Sequence, residues 1–343
     1  VPMIQRNEAN LHKNWQKELA NVVTCPKTLL EMVGLSSQAH ENDLKARSLF
    51  AVRVPVPFIK KIRKGDANDP LLLQVMPRHQ EFLTKSGFNK DPLLEQENSQ
   101  PGLLHKYKSR VLIMFKTGCA VNCRYCFRRH FPYQENQLNK RSLLDALSYI
   151  KSDTNINEVI LSGGDPLMAK DDAISWFLDE LEQLPQIKRM RIHSRLPVVI
   201  PARITDELCA RLKQSPLKIV FINHINHANE IDDEFKAAMQ KLKQAGVMLL
   251  NQAVILKDVN DTVDAQINLS EALFDADVLP YYLYLLDKVE GASHFDINEE
   301  QAIKIMAELL KALPGFLVPK LVKEIGGQKS KTPIDLKLGR VNL

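Results

Sequence analysis

Two kinds of hydrophobic spacing divide this chain. Up to about residue 104, apolar positions recur at helical intervals, as over 11–22 and 28–32. The spacing predicts short helices broken by turn-rich stretches at 65–70 and 98–102. From Arg110 onward, short β-rich runs alternate with amphipathic ones. Residues 111–116, 158–161, 189–193, 218–222, 247–255 and 280–285 read as strands. Helices are predicted over 142–152, 171–184, 205–214, 232–245, 263–275 and 298–313, and 316–322 reads as a closing strand. Repeated strand–helix units predict an α/β fold, a parallel (β/α)-type barrel, whole or partial, with its helices outside. The predicted organisation is a helical cap or extension over 1–104, a barrel over 105–335 and a short tail over 336–343. In such barrels the chemistry gathers at the C-terminal ends of the strands.

Composition narrows the class. Apolar residues make up 45% and charged residues 25%, as in an ordinary soluble domain. The 46 basic and 41 acidic residues leave a net charge of +5 with no long basic tract, which argues against nucleic acid as a partner. No apolar run approaches the roughly 18 residues that suggest a membrane span, and no signal-like segment opens the chain. It starts at Val1, so a trimmed start is expected. The five cysteines are an odd number, against a disulfide framework. Cys25 and Cys209 stand alone and read as small buried residues.

The other three, Cys119, Cys123 and Cys126, fall within eight residues, on the loop predicted to follow the first barrel strand. A closed zinc or iron–sulfur site takes four protein ligands. Three thiolates on one loop leave a corner of a [4Fe–4S] cube open to a small molecule. The bland alternative is a zinc site completed by His130 or a distant cysteine, but zinc sites are usually built from two pairs and no second pair exists. Thiols that hold iron must stay reduced, which points to the cytosol.

Other motifs fall at strand ends. Ser162-Gly-Gly-Asp-Pro carries two glycines that let backbone approach a ligand, or it is a plain turn. On Gly326-Gly-Gln-Lys-Ser-Lys-Thr-Pro, a lysine at a barrel mouth can condense with a carbonyl cofactor; the alternative is a solvated surface lysine, and Lys329 and Lys331 compete. Arg110, Arg128 and Arg129 could hold a phosphate or a carboxylate, or pair with surface acids. Asp287 ends a strand where a substrate would lie, or caps a turn. His224 and Gln252 end two more strands, where a structural role is the commoner one.

Taken in order, these motifs resemble a known family. Gly118-Cys119, Cys123, Cys126-Phe-Arg-Arg, Ser162-Gly-Gly-Asp-Pro-Leu, Ser194-Arg-Leu-Pro-Val-Val-Ile-Pro-Ala-Arg-Ile-Thr, Asn226-His-Ala-Asn-Glu, Asn251-Gln-Ala-Val-Ile-Leu and Pro280-Tyr-Tyr-Leu-Tyr recur as in the lysine 2,3-aminomutases of the radical S-adenosylmethionine (SAM) superfamily. The likeness spans roughly residues 100–335 and is greatest to short bacterial members that supply β-lysine for modifying elongation factor P. It implies a partial (β/α)6-type barrel and an enzyme that interconverts α-lysine and β-lysine. The implied cofactors are a [4Fe–4S] cluster, SAM and pyridoxal 5′-phosphate (PLP).

The resemblance also implies roles. Cys119, Cys123 and Cys126 would hold the cluster, with Gly163, Gly164, Asp165, His224 and Gln252 along SAM. Lys331 would hold PLP, with Lys106, Tyr107 and Arg110 at its phosphate. Arg128 would take the substrate carboxylate, and Asp287 and Glu324 the distal ammonium. A small electron donor such as flavodoxin or ferredoxin would serve it, its product would reach elongation factor P through a lysyl-ligase, and homo-oligomers stay open. Three departures stand out. The PLP loop is less glycine-rich, Glu324 replaces an aspartate, and the chain ends 12 residues past Lys331, without the cysteine-bearing extension of longer relatives, so no zinc is expected. An aminomutase for arginine or glutamate is the alternative within enzymes, although glutamate would meet like charge at 287 and 324. A metal-bound interaction protein is the alternative outside them.

Overall fold

Alternation along the strands decides which way each side chain faces, and here it separates an apolar shell from a polar lumen. In the computed structural model, which describes residues 14–96, 102–133, 136 and 138–338, β2 (Arg110–Lys116) is followed by β3 (Glu158–Gly163), β4 (Arg189–Ser194), β5 (Lys218–His224), β6 (Met248–Val254), β7 (Leu279–Tyr284) and β8 (Lys320–Lys323). Each pairs in parallel with the next. Helices α1 (Lys140–Ser152), α2 (Asp171–Glu182), α3 (Asp206–Gln214), α4 (Asp233–Gln244), α5 (Val263–Asp275) and α6 (Glu299–Ala312) fill the crossovers. Six strand–helix units thus form the expected partial barrel.

The expected strand and helix positions hold to within a few residues. Thr205 and Asn298 turn out to cap α3 and α6, each accepting a backbone N–H. The expected 316–322 strand is instead a 3₁₀ turn, Gly315–Leu317, and then β8. Two strands escaped the pattern. β1 (Leu103–Tyr107) pairs antiparallel with β2, starting inside the stretch that reads as helical, and β9 (Thr332–Pro333) pairs antiparallel with β8. They end the nine-stranded sheet on its two sides.

On β4 the outward residues Met190 and Ile192 enter the apolar core, while Arg189, Arg191 and His193 line the lumen. On β3 Val159 and Leu161 pack outward, and Glu158, Ile160 and Ser162 face in. A closed eight-stranded barrel fills its interior with branched apolar side chains. This one leaves a cavity of about 1400 Å³.

The N-terminal segment is a set of short helices, among them Asn14–Ala20, Pro26–Met32 and Pro70–Leu73. The start of the expected 11–22 helix, most of the 98–102 break and the end of the 336–343 tail lie outside the described residues. Trp15, Leu29, Phe58 and Leu71 share one continuous core with barrel residues such as Val111 and Phe177. Cys25 lies just ahead of a helix and Cys209 within α3, both half-buried rather than fully buried. No helix among the described residues is long and apolar enough to cross a membrane.

Candidate active site

The residues to which the resemblance gives roles all line this one cavity: the three cysteines, Gly163, Gly164, Asp165, His224, Gln252, Lys106, Tyr107, Arg110, Arg128, Asp287, Glu324 and Lys331. Lys329 does not; its side chain is exposed. Of the two lysines on this loop, Lys331 alone lines the cavity.

The cysteine loop is fixed before any ligand arrives. Backbone bonds run from Asn122 N to Arg53 O at 2.9 Å and from Arg124 N to Gln74 O at 2.8 Å, so the N-terminal segment clamps the loop. Glu81, fully buried, accepts from Arg124 Nε at 2.8 Å and Nη2 at 2.5 Å, and from Arg129 Nη2 at 2.8 Å. Arg129, a candidate for ligand binding, is therefore a brace; its Nη1 also donates to Gly291 O at 3.0 Å. On the lumen side Arg195 donates to Cys123 Sγ at 2.8 Å, to Tyr125 Oη at 2.5 Å, to Gln74 Oε1 at 2.7 Å and to Glu230 Oε2 at 2.9 Å. Asn226 Nδ2 donates to Tyr125 Oη at 2.7 Å and Gln74 Oε1 at 3.0 Å.

Sequence reasoning assigned no role to Glu81, Gln74, Tyr125, Arg195 or Glu230. The Ser194-Arg195 pair at the end of β4 and the run Asn226-His-Ala-Asn-Glu230 were the signals that could have pointed to this network.

The thiols crowd one another. Burial, with Cys126 adding, pushes the Cys119 thiol well above its ordinary value, and burial with Cys123 pushes Cys126 up to about 11. Among the described residues no three His, Cys, Asp or Glu side chains converge as they would around a single ion. His130, which the zinc alternative offered as one possible fourth ligand, has Nε2 3.2 Å from the Glu290 carbonyl. In a cube each thiolate binds a different iron, so the sulfurs stand farther apart than around one ion. Three half-buried thiols on one braced loop, facing a cavity, fit that second arrangement.

The glycine motif explains itself sterically. Gly163 has φ +111°, and a Cβ there would lie 2.5 Å from Lys116 O; at Gly164 it would lie 2.6 Å from Gly118 O. Side chains would push the cluster loop off β3. The Asp165 carboxylate is fully used by the protein: Oδ1 accepts from Ser194 Oγ (2.8 Å) and Leu167 N (3.0 Å), Oδ2 from Arg195 N (2.9 Å) and Leu196 N (3.0 Å). It ties β3 to the loop after β4. His224 has Nε2 3.3 Å from Tyr125 Oη, and burial with Arg195 nearby drops it to about 3, so the ring stays neutral.

At the other side of the cavity Lys331 Nζ lies 3.1 Å from Glu324 Oε1 and 4.9 Å from the centre of the Tyr284 ring. Burial pushes the Glu324 carboxyl up, but Lys331 and Lys106 outweigh it and hold it below its ordinary value. Burial, reinforced by the Glu324 charge, pushes Asp287 up to about 8, and there Lys331 and Arg128 pull the other way without prevailing. The Arg110 guanidinium stacks 3.7 Å from the Tyr107 ring centre. A half-buried amine flanked by tyrosines, with Lys106 and Arg110 lining the same space, fits a carbonyl cofactor that carries a phosphate.

Comparison with known proteins identifies the family. The sequence profile of the radical SAM superfamily matches residues 113–264. The chain is 55% identical over 329 residues to the L-lysine 2,3-aminomutase of Escherichia coli (strain K12), covering 95% of this chain and 96% of that one. It is 54% identical over 323 residues to the same-named protein of Haemophilus influenzae, covering 93% and 95%. It is 34% identical over 324 residues to that of Clostridium subterminale, covering 94% and 77%. The chain belongs to the lysine 2,3-aminomutase family, isomerases of the radical SAM superfamily.

Proposed function

We propose that the protein moves the α-amino group of free L-lysine to the β-carbon, and that Lys331 and the three cysteines serve the two halves of that reaction within one cavity. The family's cofactors, a [4Fe–4S] cluster, SAM and PLP, supply when bound a hydrogen-abstracting carbon radical and a conjugated ring able to spread an unpaired electron. The rest is positioning and exclusion of water, and it falls to this chain.

Cys119, Cys123 and Cys126 hold the cluster in this reading, and Arg195 donates to one sulfur. Gly163 and Gly164 let the SAM side of the cavity close against the cluster loop, with His224 and Gln252 as neutral contacts. Lys106, Tyr107 and Arg110 take the PLP phosphate, and the Lys331 amine takes its carbonyl. Arg128 anchors the substrate carboxylate, and Asp287 with Glu324 anchor the distal ammonium. The target carbon is then held from both ends of the substrate.

The shared cavity carries this reading. A second observation supports lysine: in the structure Glu324 already holds a lysine ammonium, that of Lys331. Once Lys331 is committed to the cofactor, Glu324 is free for the same kind of cation from the substrate. The reading keeps the enzyme in a reducing compartment, the cytosol, served by a flavodoxin or ferredoxin, and sends β-lysine toward elongation factor P. Oxygen-free incubation with SAM, PLP, a reductant and lysine, arginine or glutamate, followed by mass spectrometry, tests it. β-Lysine formed from lysine, with no product from the others, is the expected result; a β-amino acid from arginine alone discards lysine as the substrate.

A further inference from the structure

Arg128 already grips a carboxylate. Its Nε donates to Glu95 Oε2 at 2.7 Å and its Nη2 to Glu95 Oε1 at 3.2 Å, the two-pronged grip that an arginine offers any carboxylate. The third nitrogen, Nη1, donates to Gly163 O at 3.2 Å and Ser162 Oγ at 3.4 Å. Both partners are sheltered, with side chains 8% and 15% exposed. The prong pair that a ligand carboxylate would use is therefore the pair that Glu95 fills.

Glu95 does not sit on the barrel. It belongs to a turn closed by Asp91, whose Oδ1 accepts from Glu95 N at 2.9 Å and whose Oδ2 accepts from Gln96 N at 3.0 Å. The turn leans on the loop that carries Lys331. A Cβ at Gly326 would come within 2.9 Å of Leu94 Cγ and 3.3 Å of Pro92 O. Upstream, Asn89 exchanges backbone bonds with Lys288 and Glu290, just past Asp287. One short segment thus touches Arg128 and the stretches bearing Lys331 and Asp287.

We propose that Glu95 is a specificity-determining residue, which holds the carboxylate position on Arg128 and gives it up to the carboxylate of the incoming amino acid. The inference rests on the reading of Arg128 given above. Exchanging one two-pronged carboxylate for another leaves the guanidinium paired throughout, whereas a buried arginine left without a partner is unfavourable. A diamine has no carboxylate and cannot make the exchange, so the site distinguishes amino acids from their decarboxylated products.

Equilibrium titration calorimetry on the oxygen-free holoenzyme without reductant tests this, since no turnover occurs. L-Lysine and 1,5-diaminopentane are each titrated into the unaltered protein, Glu95→Gln and Glu95→Asp. Removing the internal competitor's charge in Glu95→Gln should tighten lysine binding on the order of tenfold and leave the diamine unchanged. Glu95→Asp, charged but shorter, should fall between and guards against a folding defect in one variant. Weaker or unchanged lysine binding in Glu95→Gln overturns the proposal, because Glu95 would then support Arg128 rather than compete for it. An equal shift for both ligands overturns it too. If the unaltered protein binds another amino acid and not lysine, the same comparison is run with that amino acid and its decarboxylated amine. That outcome removes lysine as the substrate and still judges Glu95. Failure of all three proteins to bind any amino acid overturns both readings.

Discussion

The two sides of the cavity are built on opposite principles. Around the cysteine loop the polar groups are buried and paired with partners that no ligand needs to displace: Glu81 with Arg124 and Arg129, and Arg195 with Gln74, Tyr125 and Glu230. Around Lys331, in the reading proposed above, the partners are ones that a ligand exchanges. Glu324 holds Lys331, Glu95 holds Arg128, and burial with the Glu324 charge pushes Asp287 up to about 8. A fully satisfied network fixes geometry; pairs that can be exchanged make room for a substrate. The contrast matches a division between a side that must hold a cofactor still and a side that must admit, bind and release a molecule.

The largest effect that can break this contrast lies on the rigid side. Glu81→Ala leaves two buried guanidinium groups without their carboxylate, which should lower the free energy of unfolding by about 3–5 kcal/mol. The loop bearing Cys123 and Cys126 should lose its brace at the same time. Urea denaturation and iron analysis after oxygen-free reconstitution measure both. If iron content survives at the unaltered level, the N-terminal segment is a cover and not a clamp.

On the exchangeable side, Asp287→Asn should leave iron and PLP content intact and reduce kcat/KM for lysine about 100-fold, the scale of removing one partner from a desolvated charge pair. A pH profile sharpens the point. A carboxyl raised to about 8 is protonated at neutral pH in the free site and must ionise to meet an ammonium. Binding then releases a proton, so lysine affinity should rise with pH, by up to about tenfold per unit, and level off near pH 8. The slope should vanish in Asp287→Asn. A flat profile in the unaltered protein would remove Asp287 from the ammonium site.

The same contrast explains what could be read from the chain. The barrel was legible because its strands and helices repeat a periodic signal, as in Arg189–Ser194, where buried and lumen-facing residues alternate. Many ligand candidates were legible because they fall at strand ends or on short distinctive runs, whereas Lys106, Tyr107 and Glu324 came only from the family resemblance. β1 and β9 were not, since one is a five-residue edge strand of mixed character and the other has two residues. The clamp was hidden for a different reason. Glu81 and Arg124 are 43 positions apart, and Gln74 and Arg195 are 121 apart. No local pattern marks an acid that will be buried against two arginines from a distant loop. Glu95 was invisible in the same way, as one acid in a polar turn whose partner is set only by tertiary structure.

The smallest expected effect concerns the two lysines on the last loop. In sequence Lys329 and Lys331 stand two residues apart behind the same glycines, and the family resemblance alone favours Lys331. In the structure they differ in kind. Lys331 reaches into the cavity beside Glu324 and two tyrosine rings, and Lys329 is exposed and lines none of it. Amine condensation with a carbonyl needs contact, so proximity in sequence counts for nothing here. Lys329→Ala should therefore change turnover and PLP absorbance by less than about twofold, within the scatter of surface substitutions. Lys331→Ala should abolish the cofactor's bound-state absorbance while leaving iron content unchanged. Loss of the PLP signal in Lys329→Ala, with the signal kept in Lys331→Ala, would mean that the loop turns over in the working enzyme and that the exchangeable side of the cavity is wider than its contacts in this structure.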